Sequence, residues 1–299
     1  RHLKALAAAG ARPVAVTRRP EAAAELHAAG VATATDLASA GASACVVASE
    51  TARHAADAEA AFALGLDVLV EKPLAPDSAQ GRLLADAAKR HDRRAYVACV
   101  MRFSPSLALV KERLPELGAL HAVRAECRSY LPDWRPGRDY KAGYSADAAQ
   151  GGVLRDLVHE VDYCGWLFGF PARATGSAAN LGRLGIQADE AAEILWALPG
   201  GGALSIGLDY LTRRARRGLV ADGERGTLVW DALNGTVTLT PLSGPARSDS
   251  RPEDVDARFL AQAKAFLGEL NGHRDERMTT LEDGVKALNV LDAARKGFS

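Results

Sequence analysis

The stretch VLVEKPLAP, residues 68–76, decides the fold class. Its apolar run at 68–70 is typical of a short buried strand, and the prolines that follow end that strand. Open α/β sheets bind their ligands beyond the carboxyl ends of parallel strands. The stretch therefore predicts that Glu71 and Lys72 emerge at a ligand-binding edge. The alternative is a solvated ion pair at a strand end.

Around this stretch, residues 1–103 alternate between short apolar runs and Ala-rich helical segments. Strands separated by helices of about 10–15 residues indicate βαβ units and hence a parallel sheet. Such a nucleotide-binding domain ordinarily opens with a strand and a G-x-G-x-x-G turn, whereas this sequence opens with a helical segment and contains no G-x-G-x-x-G. We expect either a parent chain truncated before residue 1, with its first strand and Gly loop missing, or a chain that binds dinucleotides poorly.

The later chain has a different pattern. Segments between 119 and 240 read as longer, partly alternating strands with Asp-Gly and Asn-Gly turns, and two amphipathic helices follow. We therefore predict an α/β fold with two domains. Residues 1–103 form a Rossmann-type doubly wound parallel sheet without its first strand and Gly loop, and residues 104–299 form an α+β domain with a large, mostly antiparallel sheet. The last helix could pack back on the first domain.

Composition excludes several classes of partner. The 37 basic residues balance 37 acidic ones, so no net field attracts nucleic acid or an anionic membrane surface, and small molecules are the expected partners. The sequence shows no apolar span of membrane length and no leader peptide, which predicts a cytoplasmic protein. The cysteines at 45, 99, 127 and 164 lie far apart. They are interpreted as buried free thiols, not as zinc ligands or disulfides, and no metal site is predicted.

A second set of reactive side chains lies in GGVLRDLVHEVDYCGWLFG, residues 151–169. In a continuous helix, residues three apart are neighbours, so the Asp156 carboxylate can orient the imidazole of His159. Histidine titrates near neutrality, as a general base for an alcohol proton requires. The alternatives are an Asp156 that caps the helix and a His159 that is solvated.

Several stretches together resemble the Gfo/Idh/MocA family (glucose-fructose oxidoreductase and inositol dehydrogenase) of nicotinamide-dependent sugar oxidoreductases. They are TARHAADAEAAFALGLDVLVEKPLA (51–75), MRFSP (101–105), the 151–169 helix, GERGTLVWDALNGTVTL (223–239) and the closing TLEDGVKALNVLDAA. The resemblance covers essentially the whole chain. It implies that Lys72 lies beside nicotinamide and substrate, and that His159 is the acid or base with Asp156 in support. The family more often spaces this Asp and His four residues apart, not three.

The resemblance also implies a dinucleotide cofactor, NADP or NAD. Thr17, Arg18 and Arg19 stand after the predicted second strand, where an acidic residue would bind a ribose hydroxyl. The arginines favour a 2′-phosphate and hence NADP, although solvated arginines are the alternative. Ser49 and His54 match the dinucleotide loop of the family, with Glu50 in place of its usual Pro. The predicted cofactor-binding residues are Arg18, Arg19, Ser49, His54, Glu71 and Lys72.

For the substrate, the sequence offers the loop YLPDWRPGRDYKAGYSADAAQGG, residues 130–152. This loop resembles loops of family members from bacterial surface-sugar pathways, and its aromatic and basic side chains could stack on a hydroxylated ring. The alternative is an oligomer contact. The predicted substrate residues are Arg102, Trp134, Arg135, Tyr140 and Tyr144.

Together, these features predict an NAD(P)-dependent oxidoreductase that transfers a hydride between nicotinamide and a secondary hydroxyl or ketone of a sugar or sugar derivative. By family likeness, the broad sheet predicts a homo-oligomer, a dimer or tetramer. The competing prediction, favoured by the absent G-x-G-x-x-G, is a non-catalytic sugar-binding or regulatory relative with impaired dinucleotide binding.

Overall fold

The computed structural model of the protein describes residues 1–17, 19–252 and 254–297. Its amino-terminal part alternates helices and short strands. The elements are α1 (His2–Ala8), β1 (Val14–Val16), α2 (Pro20–Ala28), β2 (Ala32–Ala34), β3 (Ala44–Val47), α3 (His54–Ala63), β4 (Asp67–Val70), α4 (Ser78–Arg90) and β5 (Ala95–Val97). Helix α4 begins where the Asp77 carboxylate accepts a hydrogen bond from the amide of Gln80 at 2.8 Å, which satisfies a donor that a first helical turn leaves unpaired.

The carboxyl-terminal part contains the longer strands. Its elements are α5 (Pro105–Arg113), β6 (Leu120–Arg128), α6 (Val153–Asp156), α7 (Val158–Phe168), β7 (Ala174–Ala179), β8 (Ala191–Ala197), β9 (Ala203–Asp209), β10 (Arg216–Gly223), β11 (Gly226–Asp231), β12 (Thr236–Pro241), β13 (Arg247–Ser250), α8 (Val255–Leu270), β14 (Thr279–Thr280) and α9 (Leu281–Arg295). Between β6 and α6, the chain forms short 3₁₀ turns at Leu131–Trp134, Tyr140–Ala142 and Tyr144–Ala146.

The strands of the amino-terminal part fall into two parallel sheets. Strands β1 and β2 pair with each other, while β3, β4 and β5 pair side by side, with Val47 in register with Val70. Strand β14 adds to β5 in antiparallel orientation. All residues of β4 are buried, as expected for a strand that is covered on both faces. The predicted α/β fold with a Rossmann-type parallel sheet is confirmed, although the sheet is divided in two.

In the described part of the chain, the other carboxyl-terminal strands form a third sheet, with eight strands in the order β13-β12-β11-β10-β6-β9-β8-β7. Its neighbours are antiparallel except for β6 and β9, so the predicted large, mostly antiparallel sheet is confirmed. In β8, Ala192, Ile194 and Trp196 are buried whereas Glu193 and Leu195 are exposed. One face of the sheet therefore forms a core, against which α7 and α9 pack.

Helix α9 contacts both parts of the chain. It packs against α4 and β5 in the first part and against α7 and β7 in the second. A Cβ at Gly81 would lie 2.8 Å from the Leu288 side chain, and one at Gly284 would lie 2.8 Å from Val97, so the close packing requires both glycines. One hydrophobic cluster runs through both parts. The boundary between 103 and 104 stays a prediction.

The cysteines are free thiols, as predicted; Cys99, Cys127 and Cys164 are buried, whereas Cys45 is only partly buried. Burial raises the pKa of Cys45 to about 11. Within residues 1–17, 19–252 and 254–297, no group of three or more His, Cys, Asp or Glu side chains is arranged to hold a metal ion. In the same described ranges, no helix is both long and apolar enough to cross a membrane.

Candidate active site

Strand β4 delivers two charged residues to opposite sides of its carboxyl end. The Glu71 carboxylate lies 2.6 Å from Nε2 of His2 and accepts a hydrogen bond from the Lys72 amide at 2.9 Å. Although burial acts to raise the pKa of Glu71, these contacts hold it below its ordinary value. The Lys72 ammonium instead donates to the main-chain oxygen of Asp156 at 2.9 Å. Glu71 therefore faces α1, and Lys72 faces the second part of the chain.

The helix predicted at 151–169 is interrupted at Leu157. Helix α6 ends at Asp156, α7 begins at Val158, and Leu157 between them has φ −100° and ψ 26°. The Asp189 carboxylate accepts from the amide of Leu154 at 3.0 Å, which caps the start of α6. Asp189, not Asp156, therefore caps this helix.

The interruption separates Asp156 from His159. One carboxylate oxygen of Asp156 accepts hydrogen bonds from the Ser145 hydroxyl and the Tyr210 hydroxyl, each at 2.6 Å. Nδ1 of His159 is buried without a hydrogen-bond partner among the described residues. The expected contact between this carboxylate and the imidazole is therefore not formed, because the three-residue spacing brings side chains together only along an unbroken helix.

His159 lies in an environment that keeps its ring neutral. Burial holds the pKa of His159 well below its ordinary value, and the positive charges of Lys72 and Arg217 act in the same direction. A neutral imidazole beside an ammonium group can accept a proton from a hydroxyl whose oxygen the ammonium stabilises.

The residue that follows His159, Glu160, forms an ion pair with Arg217, whose side chain is 23% exposed. Glu160 is fully buried, and Nε of Arg217 donates to its carboxylate at 2.7 Å. Although burial alone would lower the pKa of Arg217, the carboxylate raises it. Arg217 reaches Glu160 from β10, which lies near the helix only in the folded chain.

Two predicted cofactor residues differ in their surroundings. Ser49 is exposed beyond the end of β3. His54 is 1% exposed, with Nδ1 3.0 Å from the carbonyl oxygen of Pro73 and Nε2 3.1 Å from that of Ser49. The prediction for His54 needs correction, because its ring braces the loops after β3 and β4 and has no nitrogen free for a cofactor.

Of the two arginines predicted to bind the cofactor after β1, the structure describes Arg19. Arg18 lies outside the described residues. The Arg19 side chain is exposed, and its amide donates to Oγ1 of Thr17 at 3.3 Å.

Arg102 is an interior residue and does not line the site. It is 1% exposed, and its guanidinium donates to both carboxylate oxygens of Asp162, at 3.0 and 2.8 Å. Asp283 of α9 lies 3.6 Å away. The prediction that Arg102 binds substrate is therefore wrong in this structure, because the guanidinium is buried in a bidentate ion pair.

The 130–152 loop brings some of its predicted residues to the site. The Trp134 ring meets the Tyr210 ring edge-on, with centroids 5.2 Å apart, and Tyr144 is exposed beside Asp156. Arg135 is exposed as well. The hydroxyl of Tyr140 instead donates to the carbonyl oxygen of Leu184 at 3.0 Å, so this tyrosine holds the loop and is not free for a substrate.

Sequence reasoning missed Ser145 and Tyr210. Tyr210 continues the alternation of the buried residues Leu204, Ile206 and Leu208 at the end of β9. A hydroxyl at an inward-facing position needs a buried hydrogen-bond partner. This requirement could have indicated that Tyr210 contacts a polar group in the core. Ser145 lies in an irregular loop, where no periodicity marks the direction of a side chain.

Two family models match the chain. Residues 1–99 match the GFO/IDH/MocA oxidoreductase family with its NAD-binding Rossmann fold, and residues 110–229 match the GFO/IDH/MocA C-terminal domain.

Individual proteins are similar as well. The rhizopine catabolism protein MocA of Rhizobium meliloti is 28% identical over 319 aligned positions, which cover 100% of this chain and 91% of that protein. Levoglucosan dehydrogenase of Pseudarthrobacter phenanthrenivorans is 31% identical over 119 positions, covering 39% of this chain and 30% of that enzyme. The solved structure of a levoglucosan dehydrogenase in complex with NADH superposes with a TM-score of 0.86 at 18% identity, over 98% of this chain and 93% of that one. At this identity the superposition shows the fold alone.

Proposed function

Since the chain belongs to the Gfo/Idh/MocA oxidoreductase family, whose amino-terminal domain is an NAD-binding Rossmann fold, we propose that it transfers a hydride between nicotinamide and a secondary hydroxyl or ketone of a sugar or sugar derivative. The observation that carries the proposal is the convergence of two groups. The Lys72 ammonium is anchored 2.9 Å from the Asp156 carbonyl oxygen, and the partial burial of His159 together with this positive charge lowers the pKa of the His159 ring, which stays neutral.

We propose that the residues beyond β3 and β4 hold one end of such a cofactor. Ser49 is exposed beyond β3, and the Lys72 ammonium lies at the neighbouring strand end. The nicotinamide ring supplies the hydride acceptor or donor when it is bound. Lys72 holds the substrate oxygen and stabilises its negative charge as the carbon loses hydride, and the neutral ring of His159 accepts the hydroxyl proton. In the reverse direction, His159 returns that proton to the new hydroxyl.

We propose NADP as the preferred form of the cofactor. Thr17 and Arg19 follow β1, where an acidic side chain would repel a 2′-phosphate and an arginine would bind it. If the proposal holds, NADPH binds more tightly than NADH, and Arg19→Ala reduces that preference while Arg12→Ala, at another exposed arginine, does not. Equal affinities for the two cofactors would contradict the preference.

A hydroxylated ring is the proposed substrate. Trp134 and Tyr144 expose aromatic surface beside Asp156, and Arg135 adds a donor. The levoglucosan dehydrogenase among the similar proteins acts, by its name, on a sugar derivative. Aromatic faces combined with a few polar groups are typical of small-molecule sites.

We further propose that the protein is a cytoplasmic homo-oligomer. Val229 and Leu195 are exposed on the outer face of the eight-stranded sheet, where a second subunit could cover them. Free cysteines agree with a reducing compartment. Sedimentation of the purified protein as a monomer would contradict the assembly.

The function is tested by titrating the protein with NADPH and NADH, followed by nicotinamide fluorescence, and then by screening polyols and sugar acids for nicotinamide reduction. Binding together with turnover of a carbohydrate supports the proposal.

A sugar-binding relative without catalysis is the second candidate, because the chain contains no G-x-G-x-x-G sequence. Carbohydrate binding without nicotinamide binding would favour this second candidate.

A further inference from the structure

Asp156 is held from two separate segments of the chain. Ser145 lies in the Tyr144–Ala146 turn and Tyr210 directly follows β9, yet both hydroxyls donate to the same carboxylate oxygen at 2.6 Å. Tyr210 is 0% exposed and Asp156 is 5% exposed. Short hydrogen bonds to a carboxylate are among the stronger ones in proteins, and water does not compete for these buried groups.

The main chain of the same residue holds Lys72. Because α6 ends at Asp156, its carbonyl oxygen lies where helical carbonyls lose their intrahelical donors. The amide of Glu160 donates to the Leu157 carbonyl oxygen at 3.3 Å, which leaves the Asp156 oxygen to the Lys72 ammonium at 2.9 Å. The side chain of Asp156 is thus held by the hydroxyls of Ser145 and Tyr210, while its carbonyl oxygen holds the Lys72 ammonium.

We infer that Tyr210 and Ser145 are positioning residues for Lys72, which they hold in place through Asp156. In this arrangement the Asp156 carboxylate anchors the end of α6 and is not a proton acceptor in the reaction. The contact of Lys72 with substrate rests on the proposed function. The hydrogen bonds that connect the hydroxyls of Tyr210 and Ser145 to Lys72 through Asp156 do not depend on it.

The same tyrosine connects the lysine to the substrate loop. The Trp134 ring packs edge-on against Tyr210, and Nε1 of Trp134 donates to the hydroxyl of Ser129 at 2.8 Å. Displacement of Tyr210 would therefore disturb both the loop and the anchor of Lys72. Tyr210→Phe retains the ring that packs against Trp134 and removes only the hydroxyl.

The test compares Tyr210→Phe with Tyr163→Phe. Both tyrosines are 0% exposed, but the hydroxyl of Tyr163 has no hydrogen-bond partner within the described part of the chain. The first readout is the rate at which acetic anhydride acetylates Lys72, measured by mass spectrometry of the Lys72 peptide. We expect Tyr210→Phe to raise this rate by about 3- to 10-fold, the factor that corresponds to one net hydrogen bond, and Tyr163→Phe to leave it unchanged.

A second readout separates anchoring from proton transfer. With a carbohydrate substrate, Tyr210→Phe should lower kcat while the dissociation constant for the nicotinamide cofactor stays the same. Asp156→Asn should keep most of the activity, because its amide oxygen can accept from both hydroxyls and its carbonyl oxygen remains. Asp156→Ala should lose the activity that Asn keeps. Equal losses of activity in Asp156→Asn and Asp156→Ala would overturn the anchoring role of Asp156.

The outcomes keep the two proposals apart. An unchanged Lys72 acetylation rate in Tyr210→Phe overturns the positioning role, whatever the turnover. If the wild-type protein turns over no carbohydrate but the acetylation rates differ as expected, the proposed function fails and the positioning role stands. Ser145→Ala removes the other donor from a different loop, and it provides the same measurement if Tyr210→Phe does not fold.

Discussion

Lys72 donates from Nζ to the carbonyl oxygen of Asp156 at 2.9 Å, although 84 positions separate the two residues. The contact joins the end of the buried strand β4 to the end of α6, and so joins the parallel sheet to the helices that cover the antiparallel one. An oriented, partly buried charge of this kind can stabilise a developing negative charge without reorganising at the moment of reaction.

Removing the ammonium of Lys72 should strongly lower the turnover rate. Lys72→Met keeps the length of the aliphatic side chain but cannot stabilise an oxyanion, so we expect kcat to fall by about 10²–10³-fold in steady-state assays. Lys111→Met is the matched control, because Lys111 forms an ion pair with Glu276 on the surface, at 2.7 Å. A Lys72→Met enzyme with wild-type kcat would remove Lys72 from the mechanism.

His159 should set the acid limb of the pH profile. Its pKa is lowered, mainly by burial, so kcat/KM should stay constant through neutrality and fall only below the ordinary histidine value of about 6.5. We expect His159→Asn to lose this limb and to lower kcat/KM by about 10²–10⁴-fold. His121→Asn, at an exposed histidine, should keep the wild-type profile; an acid limb that persists in His159→Asn would assign it to another group.

The same shift makes stability depend on pH. Below about pH 6.5 the unfolded chain takes up a proton that the buried ring resists, so the free energy of unfolding should decrease as the pH falls from there towards the lowered pKa. Urea denaturation across this range should show a smaller decrease for His159→Asn than for the wild-type protein. An equal decrease in both proteins would show that other groups cause it.

The Glu160–Arg217 ion pair should contribute strongly to the free energy of unfolding. Arg217→Met leaves a fully buried carboxylate without its cation, and we expect a loss of about 3–5 kcal/mol in the free energy of unfolding. The neighbouring Arg216 pairs with Glu126 and has a side chain that is 55% exposed. Arg216→Met should therefore cost less than about 1 kcal/mol by urea denaturation. Similar losses in the two variants would contradict the burial of Glu160.

Arg102 should matter for folding and not for substrate affinity. Arg102→Met leaves Asp162 uncompensated in the core, so the free energy of unfolding should fall by about 3–5 kcal/mol while KM for the carbohydrate changes by less than about twofold. Arg90→Met, which breaks a surface pair with Glu59, should change neither quantity. A large rise in KM for a folded Arg102→Met protein would restore the substrate role.

Local patterns predicted the strands and the position of Lys72, because burial on both faces of β4 is encoded within the stretch itself. They did not predict the surroundings of Arg102, which pairs with Asp162 across 60 positions, or of His54, whose ring meets carbonyl oxygens of two other loops. The expected Asp156–His159 contact failed for a similar reason. The irregular Leu157 splits the helix, whose first segment is capped by Asp189 and anchored by Tyr210, both remote in sequence.

Helix α9 has a consequence for how the protein is made. It packs between α4 and β7, and its Asp292 carboxylate accepts from the amide of Ser78 at 2.9 Å. Ribosomes synthesise a chain from its amino end, and domains generally fold as they emerge from the ribosome. Because α9 follows both halves in the chain, the two halves meet their common support only after both have been synthesised. A nascent chain that stalls before Leu281 would expose the surfaces of α4 and β7 that α9 covers, and would therefore be a substrate for chaperones.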